Sequence, residues 1–110
     1  MSPSQPLSWP KLVFLDGFDE READESYARG CRSHVFAEFE DGTRYPLYFY
    51  DPVRLAQDLE TSGEYGVPYV AEPGMVVIPE VTLEYMERAV RRLTSEGFFD
   101  AFKPVRQSRS

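Results

Sequence analysis

Apolar positions come in short runs separated by turn signals, so the pattern predicts several brief elements rather than a few long ones. Lys11–Asp16 (KLVFLD) is nearly continuous apolar sequence ended by Gly17 and reads as a strand. Residues 17–30 are polar and acidic and close on Gly30. They read as a loop with at most one helical turn, around Glu20–Tyr27. Cys31–Glu40 and Thr43–Tyr50 alternate and flank Asp41-Gly42, a strong hairpin signal. In the first of these strands Val35, Ala37 and Phe39 share a core face, and His34, Phe36, Glu38 and Glu40 share the other. In the second, Tyr45, Leu47 and Phe49 alternate with Pro46, Tyr48 and Tyr50. Pro46 cannot donate to a ladder, so its amide side is expected at an edge or a bulge.

The second half reads as helical. Asp51-Pro52 is an N-cap followed by proline at the first helical position, predicting a helix to about Thr61 that buries Leu55, Leu59 and Val53 and stops at Ser62-Gly63. Gly66–Pro73 is irregular, with room for a short strand at Tyr69–Glu72, and Met75–Ile78 predicts a buried strand between Pro73-Gly74 and Pro79. Thr82 caps a last helix to about Glu96, stopped by Gly97. Its apolar stripe is Leu83, Met86, Val90 and Leu93, and Glu84–Arg88 and Glu87–Arg91 stand at favourable i,i+4 spacing. Phe98, Phe99 and Phe102 are expected to anchor the chain after it.

These elements predict an α+β fold. The expected form is a two-layer sandwich with a four- or five-stranded, mainly antiparallel sheet and two helices on one face. The folded body is expected at 11–103, with an extended arm at 1–10 and a polar tail at 104–110. At 110 residues with 15% aromatics, one domain can bury a real core without staples. The lone Cys31 leaves no intramolecular disulfide, and the first ten residues lack the features of a signal peptide, so cytoplasm is the expected compartment.

Charge changes the picture of partners. The net charge is −7, and all of it falls in residues 1–64, which hold 13 acids and 6 bases; residues 65–110 hold 6 of each. Six acids crowd Asp16–Glu25 against the single Arg21. Nucleic acid and anionic membrane both need a basic footprint, so neither is expected as a partner.

Candidate chemistry is sparse. Cys31 and His34 stand at i,i+3 on an expected strand and point to opposite faces, with no third group to orient a nucleophile. One His and one Cys cannot build a common zinc site, and the acids at 16–25 lack calcium-loop spacing. No metal and no cofactor is expected. Glu38 and Glu40 share a strand face at roughly 7 Å but lie beside a hairpin tip rather than in a cleft. No phosphate-binding glycine motif occurs. Arg88, Arg91 and Arg92 read as salt-bridged helix surface, with Glu84 and Glu87 at hand.

What remains is a recognition surface. The acids Asp19, Glu20, Glu22 and Asp24, with Phe36, Glu38, Glu40, Tyr48 and Tyr50, combine aromatic and acidic groups as a protein-binding patch does. In size, acidity and α+β build the chain is similar to small bacterial immunity and antitoxin proteins, which cap a basic toxin; the likeness is one of composition. The expected function is therefore non-enzymatic binding of a basic protein. The alternative is an accessory domain that homodimerises through an open sheet face.

Overall fold

The computed structural model describes residues 9–101. The chain forms an α+β fold in the order β1 (Lys11–Phe14), α1 (Glu20–Arg29), β2 (Cys31–Glu38), β3 (Arg44–Tyr50), α2 (Pro52–Glu64), β4 (Met75–Val77) and α3 (Leu83–Ser95), followed by a short 3-10 helix, Phe98–Ala101. The four strands make one sheet in the order β1-β2-β3-β4. The first two pairings are antiparallel and the third is parallel, so the sheet is mixed, and the described residues hold three α-helices. The parallel pairing follows from the crossover: α2 lies between β3 and β4 and returns the chain to run beside β3 in the same direction.

The expected loop at 17–30 is instead largely helix α1. Asp19 caps it, accepting a hydrogen bond from the Glu22 amide at 2.9 Å. Arg21–Glu25 and Glu25–Arg29 pairs line its outer side. Gly30 ends it in the left-handed region at φ 74°, where its amide bonds the Ser26 carbonyl. The apolar periodicity that normally marks a helix is missing here because α1 buries only Ser26. Gly30 is required for a second reason: a Cβ there would stand 2.6 Å from the Asp51 carboxylate, which caps α2 through the Arg54 amide.

The hairpin forms with β2 ending at Glu38, so Glu40 lies in the turn rather than on the strand. The Phe39 amide donates to the Thr43 carbonyl and the Gly42 amide to the Phe39 carbonyl, which closes a three-residue loop around Asp41. Pro46 sits on a central strand, yet its missing donor costs no ladder bond. The Tyr48 amide points to β4, at the Gly74 carbonyl, so the Pro46 nitrogen points the same way, beyond the end of β4. The Gly74 backbone fills that space so closely that a Cβ on it would collide with the Pro46 carbonyl.

The core lies on one face of the sheet. Val35, Ala37, Leu47 and Phe49 pack against Ile78, Val81, Met86, Val90 and Phe99, all buried. Phe39, Tyr45 and Phe99 meet edge-on or tilted beneath the hairpin. In α3 the expected stripe is half right. Met86 and Val90 are fully buried and Leu93 is partly buried, whereas Leu83 is exposed on the first turn, beyond the sheet's cover. Tyr85 and Ala89 join the packed side in its place.

Other expectations need correction. No strand forms at Tyr69–Glu72. Helix α2 runs through Ser62 and Gly63 to Glu64 and buries no residue; Leu55 is half-buried, and Leu59 and Val53 are exposed. Glu84–Arg88 and Glu87–Arg91 form no ion pairs; on α3 the pair that closes is Arg92–Glu96 at 2.7 Å. Phe102, most of the arm at 1–10 and the tail at 104–110 lie outside the described residues.

Candidate binding surface

A bulge in β2 decides which side chains share a face. Arg32 pairs with Phe49 and Val35 with Leu47, so Ser33 and His34 together oppose Tyr48 alone. His34 takes the left-handed backbone conformation, at φ 61°. The extra residue resets the alternation, so even-numbered Arg32 joins odd-numbered Val35 and Ala37 on the core face. Arg32 is only 10% exposed there. It bonds Glu22 at 2.8 Å and the Gly17 carbonyl at 2.8 Å, and its guanidinium lies over the rings of Phe14 and Phe18. Its Nε is buried without a hydrogen-bond partner. Arg32 therefore holds α1 to the sheet.

This arrangement separates the two halves of the surface expected from sequence. Glu22 is committed to Arg32 on the core-face side, and Asp19 is committed as a helix cap. Glu20 and Asp24 remain exposed on α1, and Glu40 is exposed at the hairpin tip. Phe36, Glu38, Tyr48 and Tyr50 share the opposite face, as the register Phe36↔Pro46 and Glu38↔Arg44 requires. Glu38 pairs with Arg44 at 3.2 Å, and Arg44 lies over the Phe36 ring.

Tyr50 is buried rather than exposed on that face. It stacks on Tyr48 with centroids 4.8 Å apart. Burial pushes its hydroxyl pKa well above the ordinary tyrosine value, and Tyr48 and the Asp58 carboxylate of α2 push it further the same way. The hydroxyl thus stays protonated. Arg54 bonds Asp58 at 3.0 Å and reaches the Arg29 carbonyl at 3.3 Å. Burial works against the Arg54 charge, but Asp58, with Cys31 and Tyr48, outweighs it and holds the pKa above its usual value. Helix α2 therefore lies over the Tyr48–Tyr50 side of the sheet, tied by polar contacts rather than by buried apolar ones.

The consequence is a set of exposed apolar side chains that the sequence reading missed. Val53 is 66% exposed, Leu59 43%, Tyr65 81% and Tyr69 61%, all within α2 and the segment that follows it. Val67 and the β4 residue Val77 are exposed as well. A cleft of about 330 Å³ runs between α2 and this segment, with Tyr50 and Asp58 on one side and Tyr69 and Glu72 on the other. The surrounding charge is one-sided: residues 51–72 hold five acids and the single base Arg54. The available signal was Tyr65–Val70, an aromatic and branched run with no regular element to bury it.

His34 faces Asp16 at 3.7 Å and Ser33 at 3.5 Å, while Cys31 stands opposite Tyr50 in the register. Among the described residues, no group of three or more His, Cys, Asp or Glu side chains could hold a metal ion, and no helix is long and apolar enough to cross a membrane. No protein-family model, curated protein or solved structure matches the chain.

Proposed function

We propose that this chain is a non-enzymatic binding domain that docks a basic protein on the surface of α2 and residues 65–72. The observation that carries the reading is the concentration of exposed large apolar side chains on a helix that buries nothing, Val53 and Leu59, and in the segment that follows it, Tyr65, Val67 and Tyr69. Isolated exposed apolar residues are ordinary, but a run of them rimmed by one sign of charge has the composition of an interface core with a polar rim. The acids at Asp58, Glu60, Glu64 and Glu72 favour a basic partner, and Glu20 and Asp24 add to the long-range attraction. An immunity- or antitoxin-like inhibitor acts in this way, by capping a basic protein. The same rim disfavours self-association through this patch, because two copies would bring like charges together.

A photo-crosslinking side chain placed at Tyr69 in the native host should trap one basic protein. With that partner purified, replacing both Tyr65 and Tyr69 by Ala should speed dissociation about tenfold or more, the loss of one strong aromatic contact. Replacing Glu60, Glu64 and Glu72 by Gln should slow association and flatten its salt dependence. A partner whose affinity ignores both sets would remove the assignment. A dimer in sedimentation that the tyrosine substitutions dissolve would favour the homodimer instead.

A further inference from the structure

We propose that the outer side of α3 is an anion site that takes a small ligand carrying two or more phosphate or carboxylate groups. Arg88, Arg91 and Arg92 stand at i, i+3 and i+4, so their guanidinium groups leave one side of the helix together. They border a groove of about 540 Å³ whose floor includes Ile78 and Ala89 and whose wall includes Tyr85. The Arg88 guanidinium lies over the Tyr85 ring, 5.3 Å from its centroid, and Arg92 is paired with Glu96 at 2.7 Å. Arg91 also borders a second cleft, of about 340 Å³, lined by Lys11 and by the acidic Glu87.

The independent observation is the missing compensation. Glu84 and Glu87 stand one turn before Arg88 and Arg91 in the favourable order, yet among the described residues neither arginine has a carboxylate within 4.0 Å. Two guanidinium forks are therefore open to a ligand, in a protein whose net charge is −7. Planar forks match phosphate and carboxylate oxygens two at a time, and an apolar floor excludes water from one side of those bonds. The groove is within the size range of small-molecule sites. It lies on a different layer from α2, so the inference does not rest on the binding surface proposed above.

The test is an amide NMR titration of the full chain at low salt, with pyrophosphate in one arm and citrate in the other. Saturable shifts should centre on Tyr85, Arg88, Arg91, Arg92 and Ile78, with half-saturation below about 10 mM, the weak end of useful affinity. Binding by one probe alone identifies phosphoryl or carboxylate chemistry, and either result supports the site. Replacing Arg88 and Arg91 by Gln should weaken binding about tenfold or more while leaving the thermal midpoint in place. Replacing both by Lys keeps the charge and removes the forks, and should also weaken binding. Full binding by the Lys variant would overturn the fork geometry. Shifts that spread over the surface without saturating would overturn the site. Salt-sensitive dimerisation lost in the Gln variant would do the same, assigning the groove to the acidic segment of a second copy.

Discussion

Helices α2 and α3 each span 13 residues and each begins at a side-chain cap, Asp51 or Thr82, yet they meet opposite fates. Helix α3 faces Val35, Leu47 and Phe49 and seats Met86 and Val90 among them, fully buried. Helix α2 carries comparable apolar residues at Val53, Leu55 and Leu59 and buries none of them. The difference lies in what each is given to pack against. The face beneath α2 presents Tyr48, Tyr50 and Cys31, and its contacts with Arg54 and Asp58 are polar. Such contacts hold a helix in place but supply little of the hydrophobic gain that drives burial. One helix closes the core, and the other leaves its apolar side chains for something else to cover.

Truncation in the two helices breaks this comparison most directly. Met86→Ala should cost about 2–5 kcal/mol, the usual loss for a buried side chain, whereas Leu59→Ala should stay within about 0.5 kcal/mol of the parent. Denaturant midpoints at unchanged slope measure both. Equal losses would mean that α2 belongs to the core after all.

The junction that joins the two layers should be nearly as sensitive. Gly30→Ala places a Cβ at φ 74° against the Asp51 carboxylate and should cost about 1–3 kcal/mol. If the midpoint does not move, the close approach of α1 to the start of α2 is wrong.

Losing a cap should have smaller effects. Asp51→Ala and Thr82→Ala should each cost about 0.5–2 kcal/mol. The exchange of backbone amides should separate them: the first variant loosens α2 locally, and the second lowers protection across the core, because α3 carries it.

A smaller loss than that of a cap is expected at Tyr50, where pH is the informative variable. Its folded pKa is raised, so the folded state holds the proton more tightly than the unfolded chain. That contribution is fully present below the ordinary tyrosine pKa of about 10 and is lost as pH climbs above it toward the folded value. Tyr50→Phe should cost about 0.5–1.5 kcal/mol at neutral pH through its lost hydrogen bond, and should flatten the fall in stability above about pH 10. A variant with the parent's alkaline slope would show that Tyr50 is not shielded by α2.

The sequence by itself determined what depends on neighbours along the chain. Asp51-Pro52 and Thr82 start helices where their side chains reach an amide three residues on, at 2.8 and 3.2 Å, and Asp41-Gly42 turns the hairpin. Helix α1 was legible in the same terms, from Asp19, Glu22 and Gly30, but it buries almost nothing, so apolar periodicity could not reveal it. The tertiary structure decided what depends on a partner strand or helix. The bulge at Ser33 and His34 moved Arg32 onto the core face and gave Glu22 a partner ten residues away, and packing over the other face buried Tyr50. The parallel pairing of β4 and the polar seat of α2 left Tyr65 and Tyr69 outside. Side-chain type follows from the sequence, but facing follows from register, and register is set by both strands of a pair at once.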